Sequence, residues 1–231
     1  MSPPRHSLVV PFYNEAGNVR PLLEAALPVL RALEGDFEAV LVDDGSTDST
    51  AAEIAEICAA EPRCRILSLR PNGGQAAALM AGLRGCRGDF ILTMDGDGQN
   101  DPADLPKVLA PVARGEADLV CGIRTPRHDS GLRRAMSALA NAVRRRYLGD
   151  NVSDSGCQLR AFRRDVVSAL RPSPLLQSFV PAMAVAAGFR VAELPVRHHP
   201  RVRGESKYGL GKLWWRPFAE MIRLRRELRR R

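Results

Sequence analysis

The alternation of apolar runs with helix-like runs is what most restricts how this chain can fold. The runs "SLVVPF", "FEAVLVDDGS", "CRILSLR", "DFILTM" and "ADLVCGIR" are apolar nearly throughout. Between them lie "NEAGNVRPLLEAALPVLRAL", "AAEIAEICAAE", "AAALMAGLRGC" and a helix opened by "DPADLP". A strand that is apolar along its whole length is covered on both faces, and helical crossovers between such strands make them parallel. The expected fold is therefore α/β, a mainly parallel central sheet flanked by helices. Such sheets bind ligands beyond the carboxyl ends of their strands. The polar clusters "PFYNE", "VDDGSTD", "PNGGQ", "DGDGQ" and "GIR" all fall at those ends.

After "GIR" the alternation weakens into a basic helical stretch, "GLRRAMSALANAVRRRYLG", then "NVSDSGCQLRAFRRDV", a mostly helical segment and a last strand, "FRVAELPVRHH". No repeat or low-complexity linker interrupts it. One catalytic-size domain over residues 1–212 is expected, followed by a basic amphipathic segment over 213–231. From Arg197 onward there are 12 Lys/Arg and 3 Asp/Glu, against 22 basic and 23 acidic residues before it, so the net +8 of the chain resides in its tail. An anionic partner at that end follows, either nucleic acid or a phospholipid leaflet. The longest apolar stretches, around "VPAMAVAAGF" and "QAAALMAGL", are about half of a bilayer span. The start, "MSPPRHSLVV", lacks the organisation of a signal peptide. The five cysteines are widely spaced with no CxxC pair. They read as small buried hydrophobes in a reducing compartment, not as a disulfide framework or zinc site.

Several chemistries are excluded by motif. There is no P-loop, no G-x-G-x-x-G after the first strand and no G-x-S-x-G elbow. An EF-hand beginning at Asp95 fails because Asn100 and Pro106 stand where Gly and Glu are needed. What remains is the stretch "TMDGDGQNDPADLP". Asp95 and Asp97, at i and i+2 on an extended loop, can reach one hard cation, and Gln99 adds a neutral oxygen. The alternative is a solvated loop in which Asp101 caps the next helix. Asp43 and Asp44 end the second strand, where one carboxylate can accept from a ribose or base of a nucleotide. The alternative there is helix capping, a role assigned to Asp48.

The segments "VVPFYNE", "LVDDGSTDST", "NGGQAAALMAGL" and "MDGDGQNDP", in this order, resemble glycosyltransferase family 2 with its GT-A fold and DxD motif. "DSGCQLRAF" and "RVRGESKYG" are similar to the branch acting on dolichyl and polyprenyl phosphates, the dolichyl-phosphate mannosyltransferase-like enzymes. The resemblance runs from about Ser7 to Leu213. It implies that Pro11, Tyr13 and Glu15, with Asp43 or Asp44 and Gln75, hold the nucleotide-sugar donor. It implies that Asp95, Asp97 and Gln99 bind Mg²⁺ or Mn²⁺ against the donor diphosphate, with Asp97 in the catalytic set. Arg124, Arg133 and Ser137 match positions that contact phosphates. Arg203, Ser206 and Lys207 match the segment associated with the acceptor phosphate or with closure. The family inverts the anomeric carbon by direct displacement. Asp154 matches the proposed base, and the alternative is that it orients the acceptor or an arginine.

The tail "KLWWRPFAEMIRLRRELRRR" sets Trp214, Trp215 and apolar residues such as Met221, Ile222 and Leu224 among arginines. That composition suits the headgroup zone of an anionic leaflet, and the alternative is a final helix packed on the domain. A cytoplasmic protein, peripheral on the cytoplasmic face of the membrane, is expected. The leading expectation is metal-dependent, inverting transfer of a hexose, mannose from GDP-mannose or glucose from UDP-glucose, to a polyprenyl phosphate. A second reading keeps the enzyme with a saccharide or other hydroxyl acceptor, which makes Asp154 indispensable. A third is a nucleic-acid-binding module using the arginine tail. It is disfavoured because the few aromatics do not alternate with basic residues as a stacking platform requires.

Overall fold

A computed structural model describes residues 3–125, 141–200 and 216–228. Seven strands form one sheet: β1 His6–Phe12, β2 Phe37–Asp43, β3 Cys64–Ser68, β4 Phe90–Thr93, β5 Leu119–Thr125, β6 Arg160–Arg163 and β7 Val191–Arg197. The described helices are α1 Val19–Arg31, α2 Thr50–Ala60, α3 Gln75–Gly85, α4 Leu105–Ala113, α6 Leu176–Ala186 and α7 Arg216–Leu228, with α5 helical over 141–148. The strand order is β3-β2-β1-β4-β6-β5-β7. Every pairing is parallel except those of β6, which runs antiparallel to β4 and β5.

The apolar runs become strands because both sides of the sheet are covered. On β1, Leu8, Val10 and Phe12 face one core with α1, α2 and α4. Val9 faces the other, with Val40, Val42, α3 and α6. The chain winds outward through β1, β2 and β3, then returns to place β4 on the free side of β1. The carboxyl ends of β1 and β4 thus flank the point where the winding reverses, the place where open α/β sheets form a binding crevice.

Three features correct or complete the sequence reading. Helix α1 starts at Val19, because Asn14 (φ +51°) and Gly17 (φ +78°) hold the preceding turn in left-handed backbone. Residues 160–163, given no element in the sequence reading, form a four-residue strand within the sheet; "RAFR" is brief and half charged. The last helix packs on the domain: Met221 and Leu224 are buried in the second core, and the Arg225 guanidinium lies 4.2 Å from the Tyr147 ring centroid. Among the described residues no helix is long and apolar enough to cross a membrane. All five cysteines are free thiols, four of them buried.

Candidate functional site

The loops after β1 and β2 are built as one unit. The Asn14 amide donates to Ser46 Oγ (3.0 Å), the Thr47 amide donates to Asn14 Oδ1 (2.8 Å) and the Glu15 amide donates to Thr50 Oγ1 (2.8 Å). The Glu15 carboxylate accepts from Asn18 Nδ2 at 2.8 Å, so it sits at the entrance to α1. Tyr13 and Pro11 are half-buried beside it. Asp48 takes the capping role, accepting from the Thr50 amide at 3.0 Å. Asp43 and Asp44 are both buried. Asp43 accepts from the Ser46 amide (3.1 Å) and pairs with Arg70 (3.0 Å). Asp44 accepts from the Gly73 amide (2.8 Å) and Asn72 Nδ2 (2.9 Å). The pair therefore shapes the "PNGG" loop, which in turn delivers Gln75 to the head of α3.

Gln75 leads directly to the acidic loop, its Nε2 donating to Asp95 Oδ1 at 2.8 Å. Asp95 follows β4 at the reversal point, its amide donating to Asn100 Oδ1 (2.9 Å). Gly96 lies against β1: a Cβ there would stand 2.5 Å from the Phe12 ring and 2.8 Å from the Pro11 carbonyl oxygen. Only glycine lets the two strand ends approach so closely. Asp97 Oδ1 accepts the Gln99 amide at 3.1 Å. Gln99 spends its side-chain nitrogen on the His199 carbonyl (3.3 Å), so its oxygen is the atom available to an ion. Asp101 does cap the following turn, accepting from the Ala103 amide at 3.0 Å. The end of β7 stitches the loop down, since Arg197 pairs with Asp101 and Asp104 (both 3.1 Å) and the His199 amide donates to the Gln99 carbonyl (2.8 Å).

Burial pushes the Asp95 carboxyl up to about 7, and the adjacent Asp97 carboxylate adds to the rise against Arg160 and Arg124. Two neighbouring acids, one of them raised in this way, are a pair that could hold a hard cation. Among the described residues no three His, Cys, Asp or Glu side chains gather around one point. The residues that could hold an ion there are Asp95, Asp97 and Gln99.

Arg124, at the end of β5, is forked onto Asp154, with Nη2 to Oδ1 at 2.8 Å and Nε to Oδ2 at 2.9 Å. Asp154 is 1% exposed and also accepts the Arg124 amide (3.2 Å). Arg160 on β6 is likewise 1% exposed. It donates to the carbonyls of Ser155 (2.9 Å) and Gln177 (2.7 Å), placing a positive charge beneath Asp95. Arg133, Ser137, Arg203, Ser206 and Lys207 lie outside the described residues, as do the domain limit at 212/213 and both tryptophans.

Residues 7–171 match the sequence profile described as "Glycosyl transferase family 2". The chain belongs to that family. An "undecaprenyl-phosphate 4-deoxy-4-formamido-L-arabinose transferase" of Edwardsiella ictaluri is 40% identical over 209 residues, 90% of this chain and 64% of that protein. A "dodecaprenyl-phosphate galacturonate synthase" of Rhizobium johnstonii is 39% identical over 89% of this chain and 62% of that protein. The chain thus spans a little under two thirds of these curated relatives. A glucosyl-3-phosphoglycerate synthase of Mycobacterium tuberculosis, solved with Mn²⁺, UDP-glucose and phosphoglyceric acid, superposes with TM-score 0.65. It is 20% identical over 87% of this chain and 73% of its own. A mannosyltransferase of Pyrobaculum calidifontis, solved with GDP-Man and Mn²⁺, gives TM-score 0.65 at 21% identity, over 89% of this chain and 59% of its own. The family 2 chain accordingly has the GT-A arrangement expected from its motifs.

Arg160 was not among the residues singled out from the sequence, nor was Glu193 of β7. Glu193 accepts from the Ser153 amide (2.8 Å), Ser153 Oγ (3.0 Å) and the Asp154 amide (3.2 Å). A signal for Arg160 existed: in "CQLRAF" a charged residue interrupts an apolar run whose neighbours Leu159, Ala161 and Phe162 are all buried.

Proposed function

We propose that this chain transfers a sugar from a nucleoside-diphosphate donor to a polyprenyl phosphate at the membrane surface. The observation that carries the reading is the Asp95–Asp97 pair at the reversal point of the sheet, beside the β1 and β2 loops on one side and Arg124 on the other. Asp95, Asp97 and Gln99 would hold Mg²⁺ or Mn²⁺; the glucosyl-3-phosphoglycerate synthase of similar fold has been solved with Mn²⁺ and UDP-glucose and with Mg²⁺ and UDP. Such an ion supplies charge neutralisation to a departing nucleoside diphosphate. Tyr13, Glu15, Asp43 and Asp44 build the wall for the nucleoside, and Gln75 fixes the rotamer of Asp95. Arg124, Arg133, Ser137 and the Arg203–Lys207 segment are assigned to phosphates, for which arginine forks and a lysine point charge are suited.

The state of Asp154 favours a phosphate acceptor over a sugar hydroxyl. Both its oxygens are occupied by Arg124. A base for a hydroxyl acceptor needs one of them free to take a proton. A phosphomonoester, with its second pKa near 6, is largely dianionic at neutral pH and attacks without such help. The nucleic-acid reading gives no use for the paired acids. The leaflet is the proposed partner of the basic end: α5 exposes Arg145 and Arg146, and α7 exposes Arg223 and Arg226. Electrostatic attachment, not insertion of Met221 and Leu224, is the mode compatible with their burial. The site of action proposed is the cytoplasmic face.

Hexoses, mannose or glucose, remain the proposed cargo, with the galacturonate and formamido-arabinose of the relatives as the alternatives to test. The experiment is a donor panel (GDP-mannose, UDP-glucose, UDP-galacturonate, UDP-linked formamido-arabinose) with a short polyprenyl phosphate. Radiolabel should pass to the lipid with Mn²⁺ or Mg²⁺ and stop with EDTA. Transfer only to saccharides, or undiminished transfer in EDTA, contradicts the proposal.

A further inference from the structure

We infer that Glu193 is a positioning residue, which holds Asp154 and through it sets the Arg124 guanidinium toward the bound phosphate. The inference rests on the assignment of Arg124 to a phosphate in the reading above. An arginine side chain is long and loses considerable rotamer freedom when fixed. Arg124 is fixed by Asp154, and Asp154 sits on an irregular loop that must itself be held. Glu193 does this, accepting three hydrogen bonds from Ser153 and Asp154.

The relay closes on itself through the sheet. Glu193 stands opposite Cys121 in the β5–β7 pairing, three residues before Arg124, and Arg124 returns its own amide to Asp154. Both ends are thereby tied to the same pair of strands. Gly156 leaves the space: a Cβ there would stand 2.8 Å from Arg124 Nη2. The hydrogen bonds that Glu193 accepts come from two backbone amides and a hydroxyl, and the Arg144 guanidinium interacts with it electrostatically. Its carboxylate therefore serves backbone and hydroxyl donors, a use in which an anion outperforms a neutral amide. Supporting hydrogen bonds of this kind hold a site's working groups to their productive geometry. Strand β7 thus organises both halves of the site, since its end also anchors the acidic loop.

The test reads Arg124 directly, by ¹⁵N NMR of its Nε–H, assigned by its disappearance in R124K. In the wild-type chain that proton should exchange slowly with water. In E193Q it should exchange about tenfold faster, and in S153A, which removes one donor and leaves the strand intact, by an intermediate factor. In the transfer assay E193Q should raise KM for the polyprenyl phosphate about tenfold, with kcat and Mn²⁺ affinity changed less than about threefold. Adding E193Q to D154N should change nothing further, because the two act in series. Unchanged exchange in both variants, or an E193Q penalty that multiplies fully with D154N, overturns the inference. Accelerated exchange with no sugar transfer by the wild type leaves the relay standing and removes the transferase reading.

Discussion

Asp95 is the carboxyl of the candidate site most perturbed by its surroundings. Its carboxyl titrates near 7 because burial and Asp97 disfavour the anion. The folded protein therefore holds this proton more tightly than the unfolded chain does. That stabilising contribution is complete below about pH 4, the ordinary aspartate range, and is lost as pH rises through about 7. In EDTA, thermal melts should show Tm falling between pH 5 and pH 8, with a shallower fall in D95N. Saturating Mn²⁺ should raise the wild-type Tm more at pH 8 than at pH 5, since binding requires the anion. Equal shifts at the two pH values contradict this account of Asp95. Gly96 beside it has no room for a side chain, given the 2.5 Å and 2.8 Å approaches to Phe12 and Pro11. G96A should lower stability by about 1–3 kcal/mol in urea denaturation and displace the acidic loop, weakening Mn²⁺ binding. Wild-type values for both would mean that the strand ends are not packed as described.

Elements differ in how plainly the sequence announces them. Strands β1 to β5 and helices α1 to α4 stand out because apolar runs and turn residues alternate, and burial on both faces of the sheet explains the runs. Strand β6 does not stand out. Its four residues include two arginines, and its role depends on inserting between β4 and β5, a long-range event with no local signature. Arg160 escaped for a related reason: the apolar neighbours that mark it, Leu159, Ala161 and Phe162, form too short a run to read as a buried strand. Glu193 likewise resembles the outward face of an edge strand in "VAELPV". The amphipathic end of the chain allowed two outcomes, and helix α7 takes the packed one. L224A should therefore cost about 2–4 kcal/mol of stability by leaving a cavity in the second core, whereas R226A on the exposed face should cost less than about 0.5 kcal/mol. Equal small effects would mean that α7 does not belong to the core.

At the scale of the whole molecule the sheet brings distant sequence segments to one rim. Tyr13 and Glu15, Asp43 and Asp44, Gln75, Asp95 and Asp97, and Arg124 all lie at or just beyond the carboxyl ends of strands or begin the next helix, as the alternation and the polar clusters led one to expect. What the sequence does not convey is how far these groups bind one another, since Asp154 with Arg124 and Gln75 with Asp95 are pairs 30 and 20 residues apart. The central claim is that the two acids at the reversal point hold a divalent cation against a nucleoside diphosphate. Calorimetric titration of Mn²⁺ with and without UDP or GDP tests it most directly. The account predicts that the nucleotide tightens Mn²⁺ binding at least about tenfold, a coupling of roughly 1.4 kcal/mol, and that D95A/D97A abolishes it. Mn²⁺ and nucleotide binding with the same mutual dependence in D95A/D97A would contradict it.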